Sequence, residues 1–283
     1  MIPQHRFASE TLAAERQIGD TTSVAGGGIL RIERRSDGQS IVTQSRAESP
    51  LRLLTPSNHG HAPWVYIATF GGGLVDGDAI DLTVDIDHDA WGVLSTQAHG
   101  KVYPGHASQA IRARVGDNGL LASLPDPTVC FAGAHLKQSA HVELGREANL
   151  LWLESLVSGR SAHGERWQFG SYESAISVAR QGTVTLSDTL LLNGAIGPSP
   201  ILHMKSYEWL ATLVVIGPAV RAIADAIARP PPSRDMLVSV HQRDDATLVR
   251  LAATNVEAGQ ALVQSWLRPL AGLLGDDLLA RKW

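Results

Sequence analysis

The sequence predicts an all-β fold, and three observations carry that expectation. Turn formers are abundant, with 27 Gly and 14 Pro in 283 residues, and turn signals recur about every ten residues along most of the chain. Ile80, Leu82, Val84 and Ile86 alternate with Asp81, Thr83, Asp85 and Asp87, which puts one apolar and one acidic face on a strand. Only 18% of the residues are charged, too few for long solvated helices to dominate, while 44% are hydrophobic. That is enough apolar material for one large β domain or two ordinary ones.

Taken in order, residues 1–25 are polar, mixed in charge and expected to be loosely ordered. Ile29, Ile32, Ile41 and Val42 flank Ser36-Asp37-Gly38, which reads as a hairpin. Trp64 to Ala68 is an aromatic and β-branched strand ahead of a glycine cluster. After the strand that ends near Ile86, His88-Asp89 is a turn and Trp91 to Thr96 the returning strand. Ile111 to Val115 leads through Gly116-Asp117-Asn118-Gly119 into Leu120-Leu121, and no exact repeat is visible. Further strands are expected over 135–144, 150–157, 166–178 and 183–192, the last after a Gln181-Gly182 turn.

The last third differs. Gly217-Pro218 can open a helix with Ile223 and Ile227 on one face, ended by Pro230-Pro231-Pro232. Strands near 236–240 and 247–251 precede a second helix. There Thr254 and Glu257 have capping-box spacing, and Val256, Leu262, Val263, Trp266, Leu267, Leu270, Leu273 and Leu274 form an apolar stripe. That stripe is expected to pack on a β face. No linker composition appears, so residues 26–283 are expected to form a single domain.

Charge and composition exclude several function classes. The net charge is −4 and no Lys/Arg block stands out, so the basic footprint of a nucleic-acid binder or a membrane-surface patch is missing. No run approaches the roughly 20 apolar residues of a membrane span, and the N-terminus has no apolar signal core. The single cysteine, Cys130, rules out an internal disulfide and a cysteine-rich metal site. A cytoplasmic protein is the expectation.

Several motifs invite chemistry. Gly71-Gly72-Gly73-Leu74-Val75-Asp76-Gly77-Asp78 resembles a phosphate loop, but no Gly-Lys-Ser/Thr follows, the next segment is an acidic strand, and Asp76 and Asp78 would repel phosphate. A tight bend where backbone meets backbone is the better reading. Ser161, within Gly159-Arg160-Ser161-Ala162-His163-Gly164-Glu165, lacks the glycine pattern and the strand-to-helix setting of a nucleophile elbow. Arg160 and Glu165 are placed instead to pair across that loop. Cys130 sits between Val129 and Phe131, which suits a buried thiol more than a nucleophile. Among 11 histidines, His59 and His61 share a side of an extended segment and are the metal candidates, although no cysteine or carboxylate stands nearby. His141-Val142-Glu143 has only half of a zinc-deaminase pattern. No complete catalytic constellation results.

Taken together, the motifs resemble the UreD (UreH) family of urease accessory proteins. Phe70 to Asp78 is similar to that family's Gly-Gly-Gly-hydrophobic-Val-x-Gly-Asp stretch, and Leu94 to Tyr103 to its Thr-Thr-Gln-Ala-x-x-Lys-Val-Tyr stretch. Leu124 to Phe131 with Ala134 to Gln138, then Ser158-Gly159-Arg160 with Gly164-Glu165 and Trp167 to Gly170, follow in the family's order, as do the C-terminal helix and Arg281-Lys282-Trp283. The likeness runs from about Gly28 to the last residue. Ser95, Gly100 and Pro104 depart from the usual residues.

The resemblance implies a helically coiled array of mostly antiparallel strands in one domain, with about two helices near the C-terminus. It implies a non-catalytic scaffold that binds the urease apoprotein together with UreF and, through UreF, the GTPase UreG, and that assists nickel delivery to urease. No cofactor is tightly held, and nickel is only in transit. The residues it singles out are Gly71, Gly72, Gly73, Asp76, Gly77, Asp78, Thr96, Gln97, Lys101, Tyr103, Asp126, Gly159, Arg160, Gly164 and Glu165, as partner contacts or as the lining of a passage. Loosely held nickel(II) suits carboxylate, hydroxyl and imidazole ligands, where a thiolate cage would trap it. For Asp76, Asp78, Asp126 and Glu165 the competing expectation is a strand-end turn held by side-chain hydrogen bonds. A β-rich hydrolase using Ser161 or Cys130, and a stand-alone metal binder using His59 and His61, are the alternatives.

Overall fold

The computed structural model describes residues 26–57, 60–193, 204, 206–227 and 233–277. Among the described residues, seventeen strands build two facing sheets. The first sheet runs β14 (Thr183–Asn193), β13 (Ser171–Arg180), β11 (Ala134–Leu144), β8 (Gly105–Val115), β5 (Ala79–Ile86), β1 (Gly27–Arg34), β2 (Ser40–Ala47). The second runs β16 (Met236–Arg243), β17 (Ala246–Ala253), β15 (Trp209–Ile216), β12 (Asn149–Val157), β9 (Leu120–Ser123), β6 (Trp91–Ser95), β4 (Trp64–Thr69), β3 (Leu51–Leu54), with β7 (Gly100–Val102) and β10 (Thr128–Cys130) beside β12. The expectation for residues 1–25, His59, the proline run 230–232 and the C-terminal Arg281-Lys282-Trp283 falls outside the described residues.

The β dominance and the coil hold, but the pairing corrects one detail. Nine of the fifteen strand pairs are parallel. The chain leaves β5 in the first sheet, turns at Asp87–Ala90, and enters β6 in the second sheet instead of returning beside β5. It does the same from β8 to β9 and from β11 to β12. Successive coils then stack, and stacked coils pair in parallel. Hairpins remain where the sequence placed them at the start (β1–β2) and after β13 (β13–β14), both antiparallel.

The three coil turns repeat every 29 residues, a period read from hydrogen bonds between neighbouring turns. Asp89, Asn118 and Glu147 occupy the same left-handed position, with φ of 55°, 56° and 55°. Side chains of one turn accept from the next: Asp117 N donates to His88 Nδ1 (3.1 Å), and Arg146 N to Asp117 Oδ1 (2.7 Å). Ile86, Val115 and Leu144 align across β5, β8 and β11.

Between the sheets lies one apolar core, including Leu30, Leu82, Leu121, Leu150 and Val214. A second core covers the outer face of the second sheet, where Trp64, Leu120, Leu151 and Leu213 meet the helices. Those helices are α1 (Arg221–Ala226), α2 (Val256–Leu267) and α3 (Pro269–Leu274). The long apolar stripe thus becomes two helices, because Pro269 opens the second. The N-cap of α2 is Asn255, whose side chain accepts from Ala258 N at 2.7 Å, and not Thr254, whose hydroxyl turns to Asp235. The strand expected over 166–178 begins only at Ser171, because Trp167, with φ of 55°, turns its indole N–H to the Tyr207 carbonyl (2.8 Å). No helix among the described residues is long and apolar enough to cross a membrane.

Candidate functional site

Along β12 the residues alternate, so Leu150, Trp152, Glu154 and Leu156 share the face between the sheets. Glu154 is therefore a carboxylate placed inside a β sandwich. Its Oε1 accepts from the Trp152 indole N–H at 2.9 Å, and its Oε2 accepts from the Ser174 hydroxyl. Both partners are neutral donors, so the charge is solvated by the protein without being cancelled.

Ser174 belongs to an inward row that crosses the first sheet. Ile80, Gln109, Gln138, Ser174 and Leu190 stand in register on β5, β8, β11, β13 and β14. Gln138 Nε2 donates to Ser174 Oγ at 3.2 Å. Polar side chains in the middle of this row keep the facing sheets from closing as a dry interface.

The opening that results is a cavity of about 260 Å³ between the sheets, to which Gln109, Gln138 and Glu154 contribute. Thr96 and Asp126 line it toward the solvent, with Gln97 to Lys101 at the rim. Thr96 Oγ1 donates to Asp126 Oδ2, and Asp126 N donates to Thr96 Oγ1, both at 2.7 Å. A second cavity of about 20 Å³ shares Trp152, Glu154 and Ser155 with the first and extends to Ser174, Thr212 and Asp188. That is room for about one water. Tyr172 also lines it, and burial, with the nearby Glu154 charge, pushes that phenol well above its usual range.

The remaining residues singled out from sequence divide into two groups. The glycine loop lies along β7, where Leu74 N donates to Lys101 O and Tyr103 N to Leu74 O, both at 2.9 Å. Gly71 and Gly72 have φ of 79° and 76°, and a Cβ on Gly73 would sit 2.8 Å from Lys101 O. The loop is thus the backbone-to-backbone bend that its composition suggested. Asp78 accepts from Val75 N (2.9 Å) and Asp76 from His106 N (2.8 Å), while Gly77 carries a positive φ of 84°. The Asp78 contact closes its own turn, the Asp76 contact ties the loop to the start of β8 thirty residues on, and neither aspartate lines the cavity.

The second group is the corner Gly159 to Glu165. Arg160 and Glu165 pair through two hydrogen bonds, as their spacing suggested, and Glu165 also accepts from Ala132 N at 3.3 Å. The Arg160 guanidinium holds the Glu165 carboxyl below the usual carboxylate range, and Glu165 in turn raises Arg160. Arg160 lies 4.3 Å over the Phe131 ring, which meets Tyr103 edge-on at 5.0 Å. Gly159 and Gly164 take φ of 130° and 76° at the ends of this loop.

Cys130 is 1% exposed, and burial pushes its thiol up to about 12. Ser161 is exposed in a short 3-10 turn, and among the described residues no histidine hydrogen-bonds its hydroxyl. His61 is exposed beside Gly275, and its backbone N–H donates to Leu274 O at 2.8 Å. Among the described residues no three His, Cys, Asp or Glu side chains converge as a metal-holding group. Sequence reasoning missed Glu154, Gln109, Gln138 and Ser174. The available signal was Glu154 itself, a lone charge that ends the apolar run Leu150 to Leu153.

A family model described as UreD urease accessory protein matches residues 25–283. The urease accessory protein UreD of Sorangium cellulosum (strain So ce56) is 43% identical over 266 residues, covering 92% of this chain and 85% of that protein. The protein of the same name from Anaeromyxobacter sp. (strain Fw109-5) is 42% identical over 266 residues, covering 91% and 89%. The urease accessory protein D of Oryza sativa subsp. indica is 33% identical over 219 residues, covering 75% and 71%.

Proposed function

The chain belongs to the UreD family of urease accessory proteins, and on that premise we propose that it is a non-catalytic scaffold through whose polar interior nickel(II) passes on its way to urease. In this reading it works in the cytoplasm, bound to the urease apoprotein and to UreF, with UreG recruited through UreF. No cofactor is tightly held.

The observation that carries the reading is the inward carboxylate of Glu154, set between a cavity that opens at Thr96 and Asp126 and a second one beyond Ser174. A hydrated divalent cation is costly to move through an apolar β core. Oxygen donors spaced along the route lower that cost at each step. Carboxylate, hydroxyl and amide oxygens bind nickel(II) more loosely than thiolate, and few fixed ligands at any one point favour exchange. Cys130, the soft ligand that would hold the ion, is sealed in the core as a protonated thiol. The glycine loop and the Arg160–Glu165 corner, built of turn contacts, supply shape for partner proteins in this reading.

Co-expression with the urease subunits and the other accessory proteins tests it. Glu154→Gln removes the charge and keeps the shape. Nickel per urease active site is expected to fall at least about tenfold, one unit of charge on a partly dehydrated path, while capture of the partner proteins persists. Unchanged nickel content in that variant sinks the passage.

A further inference from the structure

The polar interior does not reach solvent unguarded at its far side. Glu154, Thr212 and Arg250 stand in register on the neighbouring strands β12, β15 and β17. All three fall on the face that looks toward the first sheet, so Arg250 lies about 10 Å from Glu154, two strand spacings away. From there its guanidinium crosses to the edge strand of the opposite sheet and pairs with Asp188 on β14. Asp188, 12% exposed, lines the smaller cavity that Glu154 also lines, and Arg250 is 48% exposed.

The two ends of the interior are therefore electrically unlike. At the mouth, Asp126 is hydrogen-bonded by the Thr96 hydroxyl, and at the centre Glu154 is held by neutral donors. At the far edge the carboxylate of Asp188 is already answered by a guanidinium. A divalent cation is drawn in as far as Glu154 and then meets a fixed positive charge.

We propose that Arg250, clamped on Asp188, is a cationic stopper that confines a divalent cation to the Glu154 side of the interior until the guanidinium is drawn off. The inference rests on the reading of the interior as a cation path. It makes Arg250 a gating residue that holds cargo without ligating it. Being half exposed, the guanidinium is within reach of an acidic side chain on a docked protein, which is the means of opening that leaves the fold intact.

The Trp152 indole N–H, which donates to Glu154, is a built-in reporter, and the backbone amide of Asp188 reports on the far edge. Nickel(II) chloride, whose fast electron relaxation confines line broadening to groups next to the ion, is titrated into the isotopically labelled full chain. In the parent protein the Trp152 indole signal is expected to broaden while Asp188 stays sharp. Arg250→Gln is expected to extend the broadening to Asp188, raising it there by about tenfold as one unit of opposing charge is removed. Arg250→Lys, which keeps the charge and serves as the control for lost packing, is expected to match the parent. In Arg250→Gln combined with Glu154→Gln the broadening at Asp188 is expected to subside.

Broadening at Asp188 in the parent overturns the stopper, as does its failure to appear in Arg250→Gln. Edge broadening that persists without Glu154 also overturns it, because the ion then arrives from solvent. If Trp152 stays sharp in every variant, the passage reading falls and takes the stopper with it. If Trp152 broadens and only the edge behaviour fails, the passage stands and the stopper alone is lost.

Discussion

The two faces of the first sheet carry polar groups at the same strand spacing and treat them in opposite ways. On the outer face charges are matched: Arg112 pairs with Asp81, Arg114 and Arg31 both pair with Asp85, and Lys137 pairs with Glu173. Toward the interior the row Gln109, Gln138 and Ser174 is uncharged, and the carboxylate it faces, Glu154, is met by neutral donors. Exposed pairs of the outer kind contribute about 0–1 kcal/mol each. A carboxylate between sheets costs desolvation that neutral hydrogen bonds recover only in part. The outer ladder is thus explained by strand pairing. On the proposed reading, the inner carboxylate is explained by what it does for a cation.

Substitutions at the two faces should split activity from stability. Alongside Glu154→Gln, with its expected loss of nickel delivery of about tenfold or more, Glu154→Leu sharpens the contrast. It should abolish delivery and raise the melting temperature or leave it unchanged in a thermal scan. A clear drop in stability would instead make Glu154 structural. Asp126→Asn, at the mouth, keeps both Thr96 hydrogen bonds and should reduce delivery by a few-fold, read as nickel content of co-expressed urease. Asp85→Ala, on the outer face, should cost under about 1 kcal/mol in urea unfolding and leave delivery untouched. An activation defect there would erase the distinction between the faces.

Two smaller effects probe groups away from the path. Because Glu165 titrates below its ordinary range in the folded protein, its pairing with Arg160 stabilises the fold at pH values above the unfolded carboxylate range of about 4.3. That contribution should fade as pH falls through the lowered folded value. The difference in melting temperature between parent and Glu165→Gln should therefore be present at pH 7 and shrink toward pH 3; a constant gap would contradict the pairing. Cys130, with its thiol pushed up to about 12, should resist iodoacetamide at pH 8 in the native protein and react as denaturant unfolds it, followed by mass spectrometry. Native-state labelling would mean that the interior is more open than described.

Much of the fold was legible because strand alternation is local. The Ile80 to Ile86 pattern, the first hairpin and the apolar stripe before Leu274 all fell where their periodicities placed them. The destination of a strand after its turn was not legible. Asp87–Ala90 and Gly116–Gly119 have the composition of hairpin turns, yet they hand the chain to the facing sheet, a choice made by stacking between coils and not by turn chemistry. The 29-residue period was hidden for the same reason: Asp89, Asn118 and Glu147 share a backbone angle and no side chain. For the site, the glycine loop and the Arg160–Glu165 pair followed from local geometry. The row Gln109, Gln138, Ser174 could not, because it exists only once three strands from separate coils are set in register.

The helical layer over the second sheet has a consequence for synthesis. Trp64, Leu120 and Leu151 wait for partners that arrive roughly a hundred residues or more later, with α2 and α3. Until those helices leave the ribosome, the nascent chain presents a broad greasy surface beside unpaired strand edges, the combination most prone to self-association. Low growth temperature or a holding chaperone should therefore raise the soluble yield of the complete chain, and a chain cut before Val256 should collect in inclusion bodies.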